Sequence, residues 1–209
     1  VTSTSYGSNM NSTGSVTTTN AGTGTAASAT LIVITPPLIS KAFSPTIILP
    51  GGATTITFDI TNPNTSLAMT GIAFTDSYPA NMKNTAGTPT TNTCSGATVT
   101  MVNNGTSFAL SNLTLAASAS CSITVPVTST SAGTYTNSTG SVTTTNAGTG
   151  DADEDILYVL GAASATKQFL PDTIAQGATS VLLITLSNPN TTDIKNVAFT
   201  DTYPTNLNN

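Results

Sequence analysis

The chain lacks most of the side chains that enzymes use for catalysis. Its 209 residues include no histidine, arginine or tryptophan, and only one glutamate. General bases, oxyanion-binding cations and imidazole ligands are therefore scarce, and we expect no enzymatic activity and no catalytic residues. The four cationic residues are all lysines, scattered along a chain of formal net charge -5. Because phosphate binding needs clustered Lys and Arg, we also expect no nucleic-acid partner.

Long hydrophobic runs are absent as well. No apolar run approaches the roughly 20 residues that a membrane-spanning helix needs, so we expect no membrane span in this segment. Hydrophobic residues still make up 38% of the chain and charged residues only 6%. The hydrophobic residues occur in short runs rich in Val, Ile and Thr, which are typical of a soluble all-β protein and not of a disordered linker.

One polar stretch, NSTGSVTTTNAGTG, occurs twice, at 11–24 and at 137–150. The shift of 126 positions between the copies also aligns other blocks, and after one deletion the shift becomes 125. The aligned pairs are KAFSP with KQFLP, ITNPN with LSNPN, and FTDSYP with FTDTYP. The sequence therefore contains an internal repeat of about 126 residues.

The repeat divides the chain into three parts. We predict that residues 1–35 are the C-terminal part of a preceding repeat, 36–161 one complete repeat, and 162–209 the N-terminal part of a following repeat. The simplest interpretation is a window on a longer tandem array. The alternative is that the two partial repeats belong to successive subunits and complete one another, as in strand-complemented fibres. Against it, the joined pieces would lack any counterpart of 85–126.

Within the complete repeat the hydrophobic period is that of strands. In TTITFDIT, at 54–61, Ile56, Phe58 and Ile60 alternate with polar residues, as expected of a strand with one solvated face. Seven or eight such runs are separated by turn signals such as PGG, NPN and NNG. This pattern predicts an all-β protein built of tandem immunoglobulin-like β-sandwich domains.

The order of the sequence blocks also resembles a known family. The blocks are KAFSPTIILPGGATTITFDITNPN, GIAFTDSYPANM, TNTCSGATVT and LTLAASASCSITVPVTSTSAGTYTNSTG. They resemble the bacterial conserved repeat domain of unknown function that occurs in tandem in very large surface and secreted proteins. The resemblance covers essentially the whole chain. It implies an immunoglobulin-like extracellular domain used as a spacer, stalk or fibre unit, and it supplies no catalytic site and no ligand.

The two cysteines fit an extracellular setting. Cys94 and Cys121 lie in the same repeat, and with no histidine in the chain a zinc site is not expected. We predict a disulfide between them, worth roughly 3 kcal/mol in the chain-entropy description. A disulfide needs an oxidising compartment, so the expected location is outside a bacterial cell or on its surface.

Three polar residues recur between the copies and offer one chemical possibility. Lys41, Asp76 and Asn137 are the ingredients of the internal Lys–Asn isopeptide cross-link of some bacterial surface domains, in which a buried acid assists a neutral amine. The other interpretation is structural: Lys41 blunts a strand edge, Asp76 caps a turn and Asn137 lies in a loop. The sequence leaves both open.

The run DADED is the only acidic cluster. Its carboxylates, Asp151, Asp153 and Asp155, could offer oxygen ligands to Ca²⁺. The competing interpretation is a solvated charge run that discourages edge-to-edge association. The run is absent from the other copy, where TAASA stands in its place, which argues against a repeated metal site. We therefore expect no obligatory cofactor.

Two functions follow from these features. The first is a structural repeat of a stalk or a fibre, with neighbouring repeats of the same protein as partners and a homopolymeric filament as one form of assembly. The second is an adhesin module that binds a glycan or a protein through its loops. Sparse aromatics and repeated loops favour the first. The unchanged 14-residue stretch reflects either a recent duplication or, as we prefer, a junction surface that needs the same contacts in every copy.

Overall fold

The computed structural model describes residues 1–208, which form strands, turns and irregular segments without any helix. It therefore offers no helix long and apolar enough to cross a membrane within that range. In chain order the strands are β1 (Gly7–Ser12), β2 (Ser28–Val33), β3 (Leu38–Ser44), β4 (Ile47–Ile48), β5 (Thr54–Thr61), β6 (Met69–Ser77), β7 (Met82–Asn84), β8 (Thr91–Asn92), β9 (Thr98–Thr100), β10 (Ser107–Leu115), β11 (Ser120–Ser129), β12 (Gly133–Ser138), β13 (Val142–Thr143), β14 (Thr149–Gly150), β15 (Glu154–Val159), β16 (Ser164–Leu170) and β17 (Val181–Ser187).

Strands β3 to β15 build a β-sandwich, called here the central sandwich. One sheet has the strand order β9-β10-β6-β13-β14, and the facing sheet has the order β3-β5-β11-β7, with β8 also paired to β11. A smaller sheet, β12-β15-β4, adds the only parallel pair in residues 1–208, between β15 and β4. The prediction of an all-β, immunoglobulin-like sandwich is confirmed.

The long strands lie where the alternating pattern predicts them. Strand β5 has the predicted bounds, and its Ile56, Phe58 and Ile60 are fully buried while the intervening residues face outward. The sequence did not predict β4, β7, β8 and β14. These strands are only two or three residues long, which is too short to display a period of two.

Three phenylalanines from both sheets meet at the centre of the core. Phe58 of β5 stacks on Phe108 of β10 at a centroid distance of 5.1 Å, and Phe74 of β6 lies 5.2 Å from Phe58 and 5.8 Å from Phe108. The predicted disulfide joins Cys94 to Cys121, and both residues are buried. The disulfide therefore links the loop before β9 to β11 at the margin of this core.

The flanking segments form two antiparallel hairpins outside the central sandwich, β1–β2 and β16–β17. Their apolar residues are exposed where the aligned residues of the central sandwich are buried. Leu157 is 0% exposed and its counterpart Leu31 is 47% exposed, and Phe74 is 4% exposed against 56% for Phe199. Strands of the same sequence pattern are therefore covered by a second sheet in the central sandwich and are left uncovered in the two hairpins.

Candidate functional site

The structure brings together Lys41, Asp76 and Asn137, although each comes from a different sheet. Lys41 lies on β3, Asp76 on β6 and Asn137 on β12. All three residues are buried, with 5%, 0% and 1% of their surface exposed. The interpretation of Lys41 as an edge lysine and Asp76 as a turn cap is therefore wrong, because both side chains point into the interior.

The three side chains share one carboxylate. Lys41 Nζ donates to Asp76 Oδ1 and Oδ2, both at 3.0 Å. Asn137 Nδ2 donates to Asp76 Oδ2 at 2.9 Å. The amine of Lys41 and the carboxamide of Asn137 are therefore both hydrogen-bonded to the same oxygen atom, which places them side by side within the core.

Burial opposes charge on both members of the ion pair. It lowers the pKa of Lys41, against the attraction of Asp76 and, more weakly, of Asp155 and Asp153. Burial likewise raises the pKa of Asp76, against the attraction of Lys41 and the hydrogen bond from Asn137. Since desolvation is the largest cause in each case, the site favours the neutral amine and the neutral acid more than water does.

Aromatic rings form the apolar wall of the site. Lys41 Nζ lies 5.9 Å from the ring centroid of Phe43 and 5.8 Å from that of Phe58. Both rings belong to buried residues. Tyr78, which follows Asp76 by two positions, is also buried; its burial and the Asp76 charge raise the pKa of its phenol. The site is thus enclosed by ring carbons and is shielded from water.

One polar atom of this site has no partner. Asn137 Oδ1 is buried and accepts no hydrogen bond from any group in residues 1–208. Leaving a buried carbonyl oxygen unpaired typically costs about 1–3 kcal/mol. The Asn137 carboxamide in this orientation therefore lowers the stability of the folded state relative to a fully hydrogen-bonded side chain.

The second copy of the pair is present without an asparagine beside it. Lys167 Nζ lies 2.6 Å from Asp201 Oδ1, and these side chains are 44% and 22% exposed. Asp201 Oδ2 has no partner in residues 1–208. In the complete site, one oxygen of the aligned Asp76 accepts the Asn137 amide.

Two carboxylates of the acidic run bind backbone N–H groups of β3. Asp153 Oδ2 accepts the backbone N–H of Lys41 at 2.8 Å, and Asp155 Oδ2 accepts that of Phe43 at 2.7 Å. In the part of the chain that the structure describes, no three His, Cys, Asp or Glu residues lie together so as to hold a metal ion. The calcium hypothesis for Asp151, Asp153 and Asp155 gains no support from these contacts and stays a prediction. Two of these carboxylates instead cover the free edge of β3.

The twice-written stretch packs within its own sandwich. In the copy at 137–150, Gly140 donates its N–H to the carbonyl of Thr75 at 2.7 Å, and Thr145 donates to the carbonyl of Thr70 at 2.9 Å. Both acceptors belong to β6. The stretch closes the sheet beside β6, and its first residue is the buried Asn137. These hydrogen bonds lie within one sandwich, so the hypothesis of a junction between repeats stays a prediction.

Contacts between the segments are made by a different motif, the N-P-N loop. Asn64 accepts the N–H of Thr35 at 2.8 Å and donates to its carbonyl at 2.9 Å. One repeat further on, Asn190 accepts the N–H of Gly161 at 2.6 Å and donates to its carbonyl at 2.9 Å. The pairs are related by the same shift of 126 positions. We call this arrangement the asparagine clamp.

Each clamp is held in place by the first asparagine of its own loop. Asn62 Oδ1 accepts both the backbone N–H and the Nδ2 of Asn64 at 3.0 Å. Asn188 Oδ1 does the same for Asn190 at 3.0 and 2.7 Å. Sequence reasoning treated N-P-N only as a turn signal. The recurrence of both asparagines at the repeat distance was the signal that could have identified the clamp.

These features define a β-sandwich with a disulfide, a buried ion pair and a repeated linker contact. The sequence matches the family described as a domain of unknown function (DUF7933), over residues 37–159 and again over 164–209. The chain belongs to this family. The resemblance to a bacterial repeat domain of unknown function is thereby confirmed.

Solved structures of similar shape are distant in sequence. A cohesin module of a Clostridium perfringens family 33 glycoside hydrolase is 12% identical, with a TM-score of 0.43, over 61% of this chain and 97% of the module. BcpA, the major pilin subunit of Bacillus cereus, is 10% identical, with a TM-score of 0.46, over 74% and 53%. A collagen adhesin of S. aureus is 11% identical, with a TM-score of 0.38, over 78% and 57%.

This chain thus spans about half the length of the pilin and adhesin chains that it matches. No curated protein matches it in sequence.

Proposed function

We propose that the chain is a structural segment of a long extracellular bacterial surface protein, in which tandem sandwich repeats form a stalk or a fibre. The observation that carries this proposal is the asparagine clamp, which makes the same two hydrogen bonds at each of the two linkers. When the N–H and the carbonyl of a linker residue are both bound by the following repeat, the orientation of the linker relative to that repeat is restrained. Repeating that restraint produces an extended rod and not a flexible chain.

The position of the clamps supports the division of the chain proposed from the sequence repeat. Residues 1–35 end at the first clamped residue, Thr35, and the complete repeat 36–161 ends at the second, Gly161. Residues 162–209 then begin the next repeat, with the hairpin β16–β17 in the place of β3–β5. Neighbouring copies of the repeat are thus the proposed partners, whether within one chain or in a homopolymeric filament.

The alternative role, an adhesin module, has weaker support. An adhesin binds through irregular loops that differ from one copy to the next. Here the N-P-N loop has the same sequence at both linkers, and its second asparagine is used for the contact with the preceding segment. We therefore favour the stalk or fibre.

The extracellular location rests on the disulfide and on composition. The Cys94–Cys121 bond requires an oxidising compartment. With four lysines and no arginine, the chain also offers few sites to trypsin-like proteases, which suits a protein exposed outside the cell.

Small-angle X-ray scattering of the whole chain tests the restraint on the linkers. We expect the wild type to scatter as one elongated particle. The double variant Asn64→Ala, Asn190→Ala should scatter as flexibly linked bodies with a smaller maximum dimension, because both clamps lose their side-chain partners. The matched control Asn103→Ala alters an exposed asparagine in a turn of the central sandwich and should match the wild type. If the wild type is already flexible, or if the double variant keeps its shape, the stalk proposal fails.

A further inference from the structure

We propose that Lys41 and Asn137 become joined by a covalent isopeptide bond between Nζ and Cγ, with Asp76 as the catalytic acid that moves protons between them. This inference goes beyond the stalk proposal and does not depend on it, because the bond forms within a single sandwich. Its basis is the meeting of an amine, a carboxamide and a carboxylate in an enclosed apolar site.

The first requirement is a neutral amine, since an ammonium ion has no electron pair with which to attack. A proton passes from Lys41 Nζ to Asp76 along one of the 3.0 Å hydrogen bonds, which turns the ion pair into a neutral pair. Phe43 and Phe58 favour this transfer because their rings leave no water to solvate the charges.

The second requirement is a polarised carboxamide. A half-turn of the Asn137 amide exchanges the positions of Oδ1 and Nδ2, two groups of nearly equal size. The carbonyl oxygen then accepts a hydrogen bond from the protonated Asp76, where Nδ2 now donates to Oδ2 at 2.9 Å. This rearrangement gives the unpartnered Asn137 Oδ1 a donor in exchange for the hydrogen bond that Nδ2 now makes, and it aims the polarising proton at the carbonyl that the amine attacks.

The reaction is balanced without any further reagent. The Nζ electron pair forms the bond to Asn137 Cγ, and the bond from Cγ to Nδ2 breaks. Asp76 passes a proton from the attacking nitrogen to the departing one, which leaves as ammonia. The products are a secondary amide and a protonated Asp76. No redox change takes place, and no cofactor or metal ion is needed.

The position of the bond would make the central sandwich resist mechanical extension. Lys41 lies on β3, the first strand of the central sandwich, and Asn137 lies on β12, near its end. The bond would therefore close a loop that contains most of the sandwich, including the disulfide between Cys94 and Cys121. A cross-link near both ends of a domain prevents it from extending when its ends are pulled, which a disulfide placed inside the loop does not.

Mass spectrometry of the purified full chain tests the bond directly. We expect an intact mass lower than that of the disulfide-bonded sequence by one molecule of ammonia. Trypsin should fail to cleave after Lys41, and fragmentation should identify a branched peptide that contains Lys41 and Asn137. A folded chain of full mass, cleaved normally after Lys41, would overturn the proposal.

Variants distinguish isopeptide formation from other reactions that release ammonia. Lys41→Met and Asn137→Ala should each restore the full mass, and Asp76→Ala should abolish or greatly slow the loss. The matched control Lys167→Met alters the exposed copy of the lysine and should keep the loss of one ammonia. If Lys41→Met also keeps it, the ammonia comes from a succinimide at an asparagine and the isopeptide is ruled out. The wild-type peptide map decides the question even if a variant fails to fold.

Discussion

Replacing Phe58 by alanine is expected to lower the free energy of unfolding of the central sandwich by about 3–5 kcal/mol. Phe58 is fully buried and stacks on Phe108, while its other neighbours are Phe74 and the amine of Lys41. Truncation would leave a cavity between the two sheets, because each is held by its own hydrogen bonds and cannot collapse into it. Chemical denaturation followed by circular dichroism measures the change.

A suitable control is Thr75→Ala, on the outward face of β6. It should change the free energy of unfolding by no more than about 1 kcal/mol, because it removes only exposed atoms. If Phe58→Ala costs no more than this control, the three-phenylalanine cluster is not the centre of the core.

The second large effect concerns the ion pair that the sequence contains twice. Asp76→Ala is expected to cost about 3–5 kcal/mol, because it leaves the buried Lys41 amine without its carboxylate and the Asn137 amide without its acceptor. Asp201→Ala, at the exposed copy, should cost about 0–1 kcal/mol, because solvent screens that pair. Denaturation of the two variants under the same conditions gives the comparison.

Comparing these two variants shows the effect of burial on the ion pair, because the local sequence is nearly the same at both positions. Asp76 and Asp201 occupy equivalent positions in F-T-D-x-Y-P blocks and each contacts the aligned lysine. Equal and small effects would show that the interior position of Lys41 and Asp76 does not hold in solution. Equal and large effects would show that the exposed copy is covered there.

The sequence predicted the long strands because their pattern is local. The alternation of Ile56, Phe58 and Ile60 needs no knowledge of the neighbouring strands, and it placed β5 at its observed bounds. The disulfide was predictable because the chain offers only two cysteines. Short strands such as β4 were not predictable, since their only evidence is the pairing with β15.

The site was predictable in its ingredients and not in its assembly. The recurrence of Lys41, Asp76 and Asn137 at the repeat distance singled them out, but whether they meet depends on how three sheets pack. For the same reason the sequence could not show that Asp153 and Asp155 bind backbone N–H groups of β3, which lies more than a hundred residues earlier. Local patterns specify strands, whereas contacts between sheets are a property of the whole fold.

The repeated polar stretch illustrates the same limit. Its identity in both copies led us to expect a junction between repeats, but its contacts run along β6 of the same sandwich. The contacts of Asn64 and Asn190 come from loops that show a shorter identity of four residues, N-P-N-T. The shorter identity is thus the one whose hydrogen bonds reach the preceding segment.

The most direct test of the central claim is negative-stain electron microscopy of the protein isolated from its native source. We expect extended particles, either threads of evenly spaced beads or uniform filaments, with one bead for each repeat of about 126 residues. Compact particles without a regular axial spacing would contradict it.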